Sequence, residues 1–383
     1  MIKYAGRGFS VKRRFIMYGV VFGGGGARGA YEVGVWRALT ELDIKVGAIC
    51  GTSIGSINGA IFAQGDYQEA ENIWRNISIA DVVDMSTFSE EKLMSVKNIG
   101  AFVEEMRKNK GISLEPLEKL LRNVIDENKL LLSPIDFGLV TYSVSDNSLV
   151  ELFKADIPKG MVVDYLMASS CLPGTKARVI GDKTYMDGGV GDNKPVVMLT
   201  KKGYRNIISV DVGGVGLVRQ SIPDGVNIIE IRCKNPVVGV LDFDNSSILN
   251  TIEMGYFDTM RAFGKVAGDI YPIRMSDYIR ARRKYSQDLI FGLEKAAAIF
   301  GVNQLREYTV VSLARAMLKV YRRLLSEEQK SGFETLTSPA ALLTAVCASM
   351  SEGGKDIMPR IAVAAFKKYQ MAANAVCYFA RIM

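Results

Sequence analysis

The chain has 383 residues, 48% hydrophobic and 23% charged, a balance that fits an ordinary globular protein with one large or two medium domains. It contains no histidine, which excludes a Ser-His-Asp triad and any histidine-ligated metal site. The formal charge of +7 is partly local: Lys3, Arg7, Lys12, Arg13 and Arg14 stand without an acid among them, and Arg280, Arg282, Arg283 and Lys284 form a second cluster.

Basic patches of this kind meet anionic lipid or simply form a solvated face. No nucleic-acid motif or aromatic interleaving accompanies them, so a nucleic-acid partner is not expected. The five cysteines (Cys50, Cys171, Cys233, Cys347, Cys377) are scattered, odd in number and lack C-x-x-C spacing. They read as reduced, mostly buried thiols in a reducing compartment, with no metal among them. Residues 1–16 are basic but lack an apolar h-region, and Ala340 to Met350 is too short an apolar run to span a bilayer. The expectation is a cytoplasmic protein, at most peripheral on a membrane.

In chain order, Met17 to Phe22 predicts a strand running into Gly23-Gly24-Gly25-Gly26-Ala27-Arg28-Gly29. A helix follows, with Tyr31, Val35, Ala38, Leu39 and Leu42 at helical spacing. Val46 to Cys50 predicts a second strand, then Gly51-Thr52-Ser53-Ile54-Gly55 and a helix from Ser56 to Gln64. Residues 66 to 132 read as largely helical, with breaks near Ser86 to Ser89, Asn109 to Gly111 and Asn128. Phe137 to Tyr142 and Leu149 to Phe153 are strands joined by the turn Ser145-Asp146-Asn147-Ser148. Tyr165 to Ser170 is a short helix ended by Leu172-Pro173-Gly174, and Lys183 to Met186 a strand running into Asp187-Gly188-Gly189. Ile207 to Val212 and Val226 to Arg232 are β-branched strands, and a helix spans about Ser246 to Phe263. Alternating strands and helices argue for an α/β fold on a mostly parallel sheet. Past Tyr271-Pro272 the strand signals stop. The expected organisation is a basic segment 1–16, an α/β domain 17–275 and a helical domain 276–383. The last helix, Pro359 to Met383, places Ile361, Ala365, Tyr369, Ala372, Val376, Phe379 and Met383 on one face. Arg360, Lys367, Gln370, Asn374 and Arg381 lie on the other, so the helix packs on its own domain or lies on a membrane.

Two segments carry chemistry. Strand, G-x-S-x-G and helix in that order form the context of a nucleophile elbow, in which Gly51 and Gly55 relieve crowding around a strained Ser53. The glycine-rich loop offers backbone N–H groups that can approach and stabilise a developing oxyanion. Gly24 to Gly29 also matches the dinucleotide pattern G-x-G-x-x-G, but the second strand ends in Cys50-Gly51-Thr52-Ser53 rather than in an acid, and no G-K-[ST] follows for a phosphate loop. Without histidine, Ser53 needs another base. No lysine stands three residues on, and Asp187, beside Gly188 and Gly189, is the best-placed carboxylate.

The three segments in this order resemble the patatin-like phospholipases. Ala168-Ser169-Ser170-Cys171-Leu172-Pro173-Gly174 and Asn193-Lys194-Pro195 are similar to further parts of the family pattern, and the resemblance covers about residues 17 to 275. It implies a three-layer α/β/α fold with a C-terminal helical addition, no cofactor and a Ser-Asp dyad. Ser53 would be the nucleophile, Asp187 the general base and acid, and Gly24, Gly25, Gly26 and Arg28 the oxyanion loop, with Gly29 as a motif glycine. Arg28 either fixes that loop, caps its helix or pairs with an acid. The implied activity is hydrolysis of fatty-acyl esters in phospholipid or another acyl lipid, at a membrane surface. A soluble carboxylesterase or thioesterase, or a non-catalytic lipid-binding module, is the alternative.

Overall fold

The computed structural model of the chain describes residues 16–87, 111–233, 238–330, 336–350 and 363–383. The basic segment 1–16 and the expected breaks near Ser89 and Asn109 lie outside or at the edge of these residues. The chain divides into two compact units, Met1–Asp258 and Thr259–Met383. The sequence expectation put the division near 275, but Tyr271 and Ile273 belong to the core of the second unit.

The first unit is built on an eight-stranded sheet. Its strands are β1 (Met17–Phe22), β2 (Lys45–Thr52), β3 (Asp136–Ser143), β4 (Ser148–Phe153), β5 (Arg178–Ile180), β6 (Lys183–Asp187), β7 (Asn206–Asp211) and β8 (Asn227–Arg232). The order is β5-β6-β3-β2-β1-β7-β8, with β4 also on β3. The pairs β1–β2, β2–β3, β1–β7 and β7–β8 are parallel; β4 and β6 run antiparallel to β3, and β5 to β6. The central strands are near-continuous apolar runs because both their faces are covered. Val20, Val21 and Phe22 of β1 and Ile49 and Cys50 of β2 are all buried.

The helices of this unit among the described residues are α1 (Ala30–Glu41), α2 (Ile54–Gln64), α3 (Tyr67–Asn76), α4 (Glu115–Val124), α5 (Glu127–Leu132), α6 (Val162–Ser169), α7 (Val196–Lys201) and α8 (Asn245–Ala262). Phe62 of α2 meets Phe22 edge-on at 6.1 Å on one face of the sheet. Val196, Met198 and Leu199 of α7 pack with Val21, Cys50 and Val140 on the other. The break expected at Asn128 falls earlier, at Ile125 and Asp126. The Asp126 side chain accepts from the Lys129 N–H at 3.0 Å and so starts α5 ahead of Asn128.

The second unit has its own core. Its helices are α9 (Met275–Ala281), α10 (Gln287–Ile299), α11 (Val310–Lys330), α12 (Pro339–Ser349) and α13 (Val363–Ile382). Leu293, Leu313, Met317, Val346, Val376 and Phe379 meet in its centre. A two-residue strand pair, Val266–Ala267 with Ile273–Arg274, precedes α9, so strand structure continues just past Pro272. Tyr369, Ala372, Val376 and Phe379 of α13 are buried, and Lys367, Gln370, Asn374 and Arg381 are exposed. The apolar face of this helix therefore packs on its own unit. No described helix is long and apolar enough to cross a membrane.

Candidate active site

Ser53 follows the last residue of β2 and precedes the first of α2. Its φ of 56° and ψ of −129° put a non-glycine residue in a sparsely populated region. The glycines on either side make that turn possible. A Cβ on Gly51 would come within 2.2 Å of the Gly55 carbonyl oxygen, and one on Gly55 within 2.3 Å of the Phe22 oxygen. The strained backbone is held from outside the motif. The Ser53 N–H donates to Ser169 Oγ at 2.9 Å, and that buried hydroxyl donates to the Val140 carbonyl at 2.7 Å.

The sheet register brings Asp187 to Ser53. Thr52, the last residue of β2, pairs with Val140 of β3. Asp187, the last residue of β6, pairs with Thr141, the next residue of β3. The two strand ends thus lie side by side, and Gly188 fits between them: a Cβ there would meet Val140 O at 2.3 Å and Thr52 Cγ2 at 3.0 Å. Asp187 is 4% exposed. Its Oδ1 accepts from the Gly189 N–H at 2.8 Å, while Oδ2 is buried without a hydrogen-bond partner. Burial pushes the carboxyl up from 3.8 to about 6, and the nearby Ser53 hydroxyl and the Gly189 N–H pull it part of the way back. The serine hydroxyl thus lies near the carboxyl, but no hydrogen bond joins Ser53 Oγ to Oδ2. Such a bond often tightens when substrate binds.

The glycine loop closes the other side. The Gly24 N–H donates to the Asn193 carbonyl at 3.3 Å, and Asn193 Nδ2 donates back to the Gly24 carbonyl at 3.2 Å. A Cβ on Gly24 would lie 3.1 Å from Ser53 Cβ, so the loop passes directly over the serine. Among the described residues the N–H groups of Gly25 and Gly26 have no acceptor. Among the described residues Arg28 does not reach an acid. Its Nε donates to the Val238 carbonyl at 3.0 Å and its Nη1 to the Gly213 carbonyl, which ties the loop to two neighbouring segments. Gly24, Gly25, Gly26, Ser53, Asp187 and Asn193 line one small pocket of about 20 Å³, with Leu172, Val215 and Val240 as its apolar wall.

Further residues hold this arrangement and were not singled out from the sequence. Asn58 of α2 donates to the Gly29 carbonyl at 3.0 Å and to Glu32 Oε2 at 2.7 Å, and accepts from Trp74 Nε1 at 3.0 Å. It joins the elbow helix to the foot of the glycine loop. Burial raises the Glu32 carboxyl well above its usual range, with the Asn58 bond opposing. Thr52 Oγ1 donates to the Asp192 carbonyl at 2.8 Å and ties β2 to the turn after Asp187. The small-residue pattern at Ala168-Ser169-Ser170 was the one local sign of Ser169; nothing local marks Asn58. Among the described residues no three His, Cys, Asp or Glu side chains gather as a metal site.

Residues 20–200 match the family model described as Patatin-like phospholipase. Lysophospholipase NTE1 of Kluyveromyces lactis is 31% identical over 200 residues, covering 51% of this chain and 13% of that protein. Patatin-like phospholipase domain-containing protein 7 of Rattus norvegicus is 28% identical over 200 residues, again 51% of this chain and 13% of the relative. The chain thus matches only about one-eighth of the length of these curated relatives. The crystal structure of VipD from Legionella pneumophila overlaps 94% of this chain and 91% of its own at a TM-score of 0.42 and 14% identity, a likeness too distant to carry an inference. Across residues 20–200, the part that holds the elbow and Asp187, the chain matches the Patatin-like phospholipase family.

Proposed function

We propose that the chain is a lipid acyl hydrolase that cleaves fatty-acyl esters with a Ser53-Asp187 dyad. The observation that carries the reading is the register on β3. Adjacent residues Val140 and Thr141 hold the strand ends that present the serine and the carboxylate. Asp187 takes the proton of Ser53 as the serine oxygen attacks the ester carbonyl. The N–H groups of Gly25 and Gly26 receive the negative oxygen of the tetrahedral intermediate. The C–O bond to the alcohol or lysolipid breaks, the leaving oxygen takes the proton from Asp187, and an acyl-enzyme remains on Ser53. Asp187 then removes a proton from water, which attacks the acyl carbonyl and releases the fatty acid and the Ser53 hydroxyl.

A free aspartate is a weak base, but one moved to about 6 is far better matched to neutral pH. The names of the relatives favour phospholipid or lysophospholipid as the substrate class. The test is covalent labelling. A fluorophosphonate should modify the wild-type chain at Ser53, and Ser53→Ala should abolish both labelling and fatty-acid release from phospholipid vesicles. Labelling that persists in Ser53→Ala overturns the assignment.

A further inference from the structure

The segment between β7 and β8 has no regular structure over 212–223, yet it is tightly anchored. Leu217 donates its N–H to the Gly189 carbonyl at 2.9 Å, and its carbonyl accepts from the Asn193 N–H at 2.6 Å. Arg219 Nε donates to Asp192 Oδ2 at 2.8 Å, and Nη2 reaches Glu151. Gly213 is fixed by Arg28. The anchors all lie on the parts of the chain that form the pocket or flank it.

Side chains alternate along this segment. Gly214 and Gly216 face inward, where a Cβ would meet the Gly24 oxygen at 1.8 Å and the Gly189 oxygen at 2.7 Å. Val215 and Leu217 face outward and are 69% and 65% exposed. Val218 and Ile222, further along, are exposed as well, and so is Val190, next to Gly189. No acid occurs from Gly213 to Pro223. Contiguous exposed aliphatic side chains mark an interaction surface. The backbone bonds to Gly189 and Asn193 prevent the segment from turning these side chains into the core.

We infer that residues 213–222 form a docking loop that inserts its aliphatic side chains into the surface of an anionic phospholipid bilayer. Val215 belongs both to this loop and to the wall of the Ser53 pocket, so the apolar surface is continuous with the place where an acyl chain would enter. The net charge of +7 draws the chain toward an anionic rather than a neutral surface. Because the loop is stitched to the Asp187 turn, docking sets the pocket at the bilayer surface. The inference rests on the lipid acyl hydrolase reading for its purpose, but its binding step is measured without turnover.

The experiment uses the full chain. Trp36 and Trp74 are both buried, so a Leu217→Trp variant adds one exposed reporter. On vesicles of phosphatidylcholine and phosphatidylglycerol with brominated acyl chains, that reporter should shift to the blue and be quenched. In a Ser53→Ala background, the double change Val218→Ser and Ile222→Ser should weaken vesicle co-sedimentation by about tenfold or more. With Ser53 present, the same double change should leave hydrolysis of a monomeric short-chain ester unchanged. An unquenched reporter on bound protein, unaltered co-sedimentation of the double variant, or no binding of the parent chain each overturns the docking loop. A double variant that loses short-chain turnover in step with vesicle binding also overturns it, since the loop would then act within the pocket. Failure of short-chain hydrolysis in the wild type, with vesicle binding and quenching as expected, would instead sink the hydrolase reading and leave the docking surface standing.

Discussion

Replacing Asp187 with asparagine separates the stability of the fold from its chemistry. The carboxyl is buried and its pKa is moved from 3.8 to about 6. The unfolded chain therefore ionises this group first. Below pH 3.8 both states hold the proton and the group is neutral in its effect. As pH rises from there through about 6, the unfolded state is favoured progressively, so the folded state loses stability. At about 1.36 kcal/mol for each pKa unit, ionised Asp187 costs the fold about 3 kcal/mol above that range. Asparagine keeps the shape and the acceptor for the Gly189 N–H without the charge. Asp187→Asn should accordingly unfold with up to about 3 kcal/mol more stability near pH ~8, and with almost none near pH ~4. Trp36 and Trp74 lie in α1 and α3 of the same unit, so urea unfolding followed by their fluorescence reads the relevant transition. The same variant should lose turnover by about 10²-fold or more, and the wild-type rate should rise with pH through about 6. A variant no more stable than wild type near neutral pH, or equally stabilised at both pH values, refutes the reasoning from burial.

Ser169→Ala should leave the Ser53 N–H without its acceptor, at a cost of about 1–3 kcal/mol, and lower kcat with little change in KM. Thermal melts and steady-state kinetics check both, and an unchanged kcat would show that Ser169 does not hold the elbow. Gly51→Ala should lose soluble, folded protein, because its Cβ meets backbone at Gly55 that cannot move aside. Gly59→Ala on the next helix meets only ordinary contacts with Phe137 and Ile49 and should be neutral or stabilising by up to about 1 kcal/mol, so equal Tm values for the two variants would refute the steric account.

Much of this site is written locally. The glycine loop, the elbow and the Asp187 turn are each short runs whose composition follows from close backbone approach. The strands that carry them are apolar runs bounded by turns, so β1, β2, β3, β4, β6, β7 and β8 were all foreseen to within a few residues. The strand β5 was not, because three residues of mixed character leave no period to read. The partners that hold the site are of a different kind. Ser169 and Asn58 are small polar residues inside helices, where sequence alone gives no hint of what they bond. Their bonds reach 116 residues to Ser53 and 29 residues to Gly29. The docking loop was hidden for the same reason. Nothing local tells which way its valines and leucine face, and the backbone bonds of Leu217 decide it.

The long reach of these bonds bears on how the protein is made. The glycine loop leaves β1, and β1 finds its second neighbour only when Ile207 pairs with Gly19. Gly23 is fastened to Val210 and Gly24 to Asn193, a residue 169 positions away. Contacts of that separation form slowly, since a long stretch of chain must be ordered first. A chain still emerging from the ribosome has the elbow and its helix early, but has no anchored loop above Ser53 until residues beyond 210 are free to pair. The glycine loop would then settle over Ser53 only after a late long-range step of folding, so topology alone would leave the site unfinished in incomplete chains.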